Sequence, residues 1–246
     1  MAGIRMLLEG GNAVDAAVAM GSTLNVVEPF MSGAGGIGLL LVSRARTRER
    51  HVLDFIGPAP AAAPAGADLA RVTEDELAGG PRACATPGNL GGWLAAHERF
   101  GTLPRARVLA PAIELAEGGV PLTWMSAQFF DGARETLARS AEAQRLYLGD
   151  GGPRAGKVVT YKELAATFRQ VAEGGAEAFY RGPVARAIAR SVREAGGWLD
   201  ETDLAGFVPE WREPIAIDYR GWEVCSVPPP FSSFSLAARS SSREWR

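Results

Sequence analysis

Cysteine and histidine are scarce in this chain of 246 residues, which holds two of each: Cys84, Cys225, His51 and His97. Two cysteines build no disulfide framework, and two reduced, partly buried thiols are expected. The histidines lie far apart, with no cysteine or carboxylate at ligand spacing, so no metal site is expected and both read as structural. Net charge is scarce too. The 26 Lys+Arg against 28 Asp+Glu leave -2, which excludes the electrostatic footprint of nucleic-acid binding or of attachment to an anionic membrane. The densest basic run, Ser43 to His51, includes Glu49 and sits where a hairpin turn is expected, so it reads as a solvated turn. No apolar run reaches membrane-spanning length. The opening "MAGIRMLLEGG" has no signal-peptide pattern, so a soluble, cytoplasmic product is expected.

What is present is ordinary globular composition, 47% hydrophobic and 22% charged, in a length that suits one large domain or two small ones. From Ile4 to Val27 the chain is Ala-rich. Leu7, Leu8, Ala13, Val14, Ala17, Val18 and Leu24 recur at helical spacing, and Gly10-Gly11 splits the segment into two helices. Asn12 is the expected N-cap of the second, with Asp15 on its positive end. "IGLLLV" and "HVLDFI" read as a hairpin, and "EPIAIDYRGWEVCSVPPP" as a second one around Tyr219-Arg220-Gly221.

Between the hairpins the pattern is mostly helical. Capping boxes are expected at Thr73–Glu76 and Thr160–Glu163, and glycine pairs at 118–119 and 196–197 act as stops. Leu90, Trp93 or Leu94, and His97 share one helix side. Val108, Ala112, Leu115 and Ala116 form a stripe on the next, and Val184, Ile188 and Val192 step by four opposite arginines. Strand and helix do not alternate, so helices packed on antiparallel strands, an α+β fold, is expected. The six tryptophans (93, 124, 198, 211, 222 and 245) read as core. Asp200, Glu201 and Asp203 read as an acidic helix start.

Within "MSGAGGIGLLLV", Gly33, Gly35 and Gly38 fit G-x-G-x-x-G. A dinucleotide loop needs a strand before it and a helix after it, because the helix N-terminus supplies the amides that hold pyrophosphate. Here a helix precedes and a strand follows. Asp54, though at a tempting distance downstream, belongs to a hairpin. The loop is therefore read as a glycine-rich entry into a core strand, where glycine permits positive φ and close backbone approach. No cofactor is implied.

The ordered set "GGNAVDAAVA", "VVEPFMSGAGGIG", "LDF…AP", "ATPGNLGGW", "FGTLP…VLAPAIELAEGG", "EAFYRGPVARAIA", "GGWLDETDLAGF" and "YRGWEVCSVPPP" resembles the γ-glutamyltranspeptidases, from Leu7 to Pro230. The resemblance implies an N-terminal nucleophile hydrolase: a four-layer αββα sandwich made as a proenzyme that cleaves itself into a large and a small subunit. It implies that the small subunit's new N-terminal threonine attacks a γ-glutamyl amide, typically of glutathione, with its own α-amine as base. A hydroxyl needs such an activator, and an α-amine titrates near neutrality.

The family's processing site is a Thr-Thr pair followed by His, and this chain has no two adjacent threonines. The expectation is a large-subunit portion, residues 1–234, that is incomplete on its C-terminal side. No catalytic residue is expected in it, and it is expected to be inert without the small subunit of the same precursor. Two readings stand for the divergent tail, residues 235–246: a natural disordered tail, or off-frame translation after a frameshift near Ser235, which is favoured.

The family also places an arginine after "DF", where it binds the α-carboxylate of the γ-glutamyl group. Here that position is Ile56, and no Arg lies between Asp54 and Arg71. Losing such a charge-assisted bond costs roughly 1.5–3 kcal/mol, about ten- to a hundredfold in recognition. Ile56 is therefore the candidate substrate-binding position. Three functions follow: γ-glutamyl transfer or hydrolysis, acylase or amidohydrolase action on a non-glutamyl amide, and a non-catalytic partner-binding fragment. No nucleic-acid or membrane partner is implied.

Overall fold

The computed structural model describes residues 1–231, so the expected boundary at 234/235 and the tail lie outside the described residues. The chain begins with α1 (Ala2–Leu8) and α2 (Ala13–Val27), then β1 (Leu39–Arg44) and β2 (Glu49–Asp54). A helical middle follows: α3 (Glu74–Ala78), α4 (Asn89–Phe100) and α5 (Arg105–Gly118), then β3 (Val120–Pro121), α6 (Trp124–Gly132), α7 (Arg134–Leu137), α8 (Ala141–Ala143) and β4 (Val158–Val159). Helices α9 (Lys162–Tyr180), α10 (Pro183–Glu194) and α11 (Glu201–Gly206) lead to β5 (Glu210–Arg212), and β6 (Ile215–Tyr219) and β7 (Trp222–Ser226) close the described part.

The sheet that organises the molecule is antiparallel, in the order β1-β2-β5. Its register pairs Leu40 with Leu53, Leu41 with Val52, and Asp54 with Glu210. Two short ladders, β3-β4 and β6-β7, stand apart from it. Helix α5 packs between α2 and α9. The main core gathers Leu90, Leu109, Phe168, Val171, Phe179, Tyr180, Leu199 and Leu204. Both expected hairpins are present, the second turning through Arg220 and Gly221, both at positive φ.

Local signals account for most element boundaries. The Asn12 side chain accepts from the amides of Val14 and Asp15, and Asp15 accepts from the Asn12 amide, a reciprocal box that starts α2. Thr73 with Glu76 and Asp200 with Asp203 form the same device, so the acidic run at 200–203 is a helix start, as expected. At the end of α10 the Gly197 amide reaches back to Val192 O, with Gly196 at φ +88°. That is a Schellman stop.

Several expectations are corrected. Leu7, Leu8 and Leu24 are exposed, Leu8 by 84%, while Met6, Ala16, Val18, Ala19 and Val26 are buried. Alanines, not leucines, face the neighbouring helices, because small side chains let α1, α2 and α5 lie close together. On α5, Leu109 is buried and Leu115 is exposed. No box forms at Thr160–Glu163, and Tyr161 is the N-cap of α9 without a side-chain bond. Thr160 follows the β4 ladder directly, and the Tyr161 amide is already bonded to Ala116 O. Trp93, Trp198 and Trp211 are half-buried, but Trp124 and Trp222 are 70% and 76% exposed, on the first residue of α6 and on the last hairpin. Trp245 lies outside the described residues. Both cysteines are free and half-buried, as expected.

Candidate functional site

The glycine loop's role is close packing. Gly36 O accepts the amides of both Gly88 and Asn89, and Asn89 Nδ2 donates to Gly33 O at 2.7 Å. A Cβ on Gly38 would lie 2.6 Å from the Phe55 ring, and one on Gly36 would lie 2.5 Å from Asn89 Nδ2. None of the loop's glycines has a positive φ, so the expected left-handed backbone is not used. Close approach explains glycine at 36 and 38, whereas a Cβ at 33 or 35 would meet no close neighbour. Gly88 and Gly92 complete the packing from α4, since their Cβ atoms would meet Phe55 O at 1.8 Å and Phe55 Cγ at 2.2 Å. Three segments, residues 33–38, 55–58 and 86–92, are thereby locked at the end of β2.

The lock fixes which face of the sheet is covered. Residues opposite one another in an antiparallel ladder share a face. Leu40 and Leu53 share theirs with Phe55, packed against Trp93 and Ala96 of α4. Leu39, Leu41, Val52 and Asp54 lie on the other face, and Ile56 continues the alternation beyond Asp54. Leu41 and Ile56 are 41% and 38% exposed there, while Val52 and Asp54 are buried.

Charge at this strand end is partly compensated. Asp54 Oδ1 accepts the Ile56 amide at 3.0 Å, fixing the backbone as the strand ends. Arg212 Nε lies 3.0 Å from Asp54 Oδ2 in an ion pair, and Arg212 Nη2 donates to Glu210 Oε2 at 2.9 Å. One guanidinium is thus shared by two carboxylates, a trio of net charge -1. Behind it Thr86 is fully buried. Its amide donates to Pro58 O, and its hydroxyl has no hydrogen-bond partner among the described residues.

The other candidates stay apart from this site. Asp15 is fully buried and accepts from the Asn12 amide, from the Thr102 amide and hydroxyl, and from the Leu103 amide. Burial opposes its charge, but these donors outweigh it and hold the carboxyl below its usual range. His97 Nε2 sits 2.9 Å from Leu103 O and 3.4 Å from Asp15 Oδ1 in the same junction. His51 packs between Phe100 and Trp211. Cys84 lines a separate apolar groove of about 550 Å³, and burial pushes its thiol pKa up. Among the described residues no His, Cys, Asp and Glu cluster into a metal site, and no helix is long and apolar enough to cross a membrane. The sequence reading found Ile56 through the resemblance. It missed Arg212 and Glu210, which lie some 150 residues downstream without any motif of their own.

The family model described as Gamma-glutamyltranspeptidase matches residues 1–239. The chain is 40% identical over 245 residues to the Acylase ACY 1 proenzyme of Pseudomonas sp. (strain V22), covering 94% of this chain and 43% of that one. It is 35% identical over 241 residues to the glutathione hydrolase proenzyme of Bacillus subtilis (strain 168), covering 94% and 40%. The fold matches the crystal structure of Helicobacter pylori gamma-glutamyltranspeptidase with a TM-score of 0.90 at 33% identity, over 94% of this chain and 68% of that one. The chain spans about four-tenths of the length of these curated relatives.

Proposed function

The chain belongs to the γ-glutamyltranspeptidase family, and on that premise we propose that it is the large-subunit portion of an amide-cleaving acyl-transfer enzyme. Its α+β fold is that of the corresponding part of the family's N-terminal nucleophile hydrolases. In the intact enzyme an N-terminal threonine, supplied by the small-subunit portion, attacks the amide carbonyl. Its hydroxyl proton passes to its own α-amine and then to the leaving amine, and water or an acceptor amine releases the acyl group. The observation that carries the reading is the partly exposed sheet face ending at Ile56, in a chain with no Thr-Thr pair of its own. This part shapes the acyl site without supplying the nucleophile. Incubated alone with a γ-glutamyl anilide, the chain is expected to release no aniline. Release above background by the purified chain overturns the reading.

A second reading, action on an acyl group without an α-carboxylate, is favoured by Ile56 and the trio beside it. An aliphatic side chain cannot bind a carboxylate, and the adjacent Arg212 is already held by Asp54 and Glu210. In the enzyme reconstituted with its small-subunit portion, Ile56→Arg is expected to raise kcat/KM for a γ-glutamyl anilide about ten- to a hundredfold. The same change is expected to lower or leave unchanged the value for a neutral pentanoyl anilide. A parallel change on both substrates removes the second reading and leaves the first.

A further inference from the structure

Helix α6 carries large apolar side chains on both of its sides. Thr123 caps it, its hydroxyl accepting the Ser126 amide at 3.0 Å. Ser126, Ala127 and Phe130 turn inward and are buried, and Phe130 stacks on Tyr147 with 4.1 Å between ring centroids. At 3.6 residues per turn, Trp124, Met125, Gln128 and Phe129 then lie on the outward arc. Trp124 is 70% exposed, Met125 57% and Phe129 49%. A helix that served only its own core would be polar there.

A segment distant in sequence extends the same patch. Phe30 stacks on Phe129, with centroids 4.6 Å apart, and meets Phe130 edge-on at 5.7 Å. Its neighbour Met31 is 70% exposed. Single exposed apolar residues are ordinary, but several joined through a stacked pair mark an association surface. Weighted by their exposed fractions, Met31, Trp124, Met125 and Phe129 offer roughly 500 Å² of apolar surface, at about 200 Å² for each whole side chain. Homodimer interfaces are about two-thirds apolar, so the patch fits a contact of roughly 750 Å² per copy, close to a standard stable interface.

The chemistry of the helix favours a second copy over an unlike partner. Asp131, the one charged residue of α6, is paired with Arg134 at 2.6 Å, so the helix offers no free charge for recognition. At nine residues it is about 13 Å long and holds no Lys or Arg, which does not suit an anionic lipid surface. Gln128 lies on the outward arc between Trp124 and the pair Met125 and Phe129. Its amide both donates and accepts, so it can bond its own copy across a two-fold axis.

We propose that α6, together with Met31, is the seat of an isologous dimer of this chain, with Gln128 at the two-fold axis. The inference is independent of the enzyme reading, and neither stands or falls with the other.

Sedimentation equilibrium of the full chain between about 1 and 200 µM is expected to show monomer and dimer in exchange, with a Kd on the order of 10 µM. Gln128→Glu and Gln128→Lys each set like charges against each other across the axis, and each is expected to weaken the dimer at least about tenfold. Mixed in equal amounts the two variants are expected to restore it, because unlike charges then meet. Both changes are at an exposed position, so Tm is expected to stay within a few degrees. Trp124→Ala tests the apolar contact separately and is expected to cost about tenfold. A monomer throughout the concentration range overturns the proposal. So does a dimer that neither Gln128 variant weakens, which would lie on another face, and so does a mixture that fails to restore it. Assembly that grows past the dimer overturns it too, because an isologous contact closes at two copies. The dimer is expected to persist when the remainder of the Acylase ACY 1 proenzyme, expressed separately, is added. Dissociation on that addition would assign the face to the polypeptide beyond the matched part and would end the dimer proposal.

Discussion

The two faces of the central sheet are treated differently by the same chain. Under α4, Leu53 and Phe55 are almost fully buried, and glycines at 38, 88 and 92 bring backbone and ring into direct contact. On the opposite face, Leu41 and Ile56 stand more than a third exposed beside an ion-paired trio. The contrast teaches where the chain completes itself. One face is closed by residues within these 231, with no slack left for a methyl group. The other is covered at Val52 but leaves Leu41 and Ile56 partly exposed, and it is the face that bears the position tied by resemblance to acyl recognition.

The contrast can be broken first on the closed side. Gly88→Ala puts a methyl where Phe55 O lies 1.8 Å away, at an ordinary negative φ, so overlap is the only penalty. A loss of about 4 kcal/mol, or roughly 10 °C in Tm, is expected by thermal unfolding. An unchanged Tm would mean that the lock is loose. Asp15→Asn, in the helical layer on the same side, is expected to cost about 3 kcal/mol at neutral pH, because four donors converge on that carboxylate. Its folded pKa is lowered, so the stabilisation is present above the ordinary carboxylate pKa and is lost as pH falls through the folded value. Denaturant midpoints of variant and parent should therefore differ at neutral pH and converge as the pH falls below the ordinary carboxylate range. A gap that stays constant would assign the loss to packing. On the open face, Ile56→Arg is expected to change stability by no more than about 0.5 kcal/mol. A larger loss would show that Ile56 is packed by its own chain, and the difference between the two faces would narrow.

How far the sequence could be read depended on the range of each interaction. The caps at Asn12, Thr73 and Asp200, the glycine stops and both hairpins were legible, because each is decided within about five residues. The glycine loop was rightly separated from a dinucleotide site by the order helix, loop, strand. Its positive-φ role was wrong, because the partners that need the space, Phe55 and Asn89, come from elsewhere in the chain. The buried side of α1 and α2 was misread for a related reason. Leucine at helical spacing marks a possible apolar face, yet only the neighbours α4 and α5 determine which face they meet. At Thr160 the preceding β4 ladder displaced a box that the four residues alone favour.

The sequence by itself determined the family, the α+β class, most element starts and stops, and the aliphatic residue at position 56. These follow from local backbone chemistry and from an ordered series of motifs. Only the tertiary structure decided which sheet face is closed, that Arg212 is shared between Asp54 and Glu210, and that Phe30 joins α6 in an exposed apolar patch. Each of those rests on residues brought together from distant parts of the chain or on the phase of a ladder. One-residue changes in register would reverse the faces without altering a single local signal.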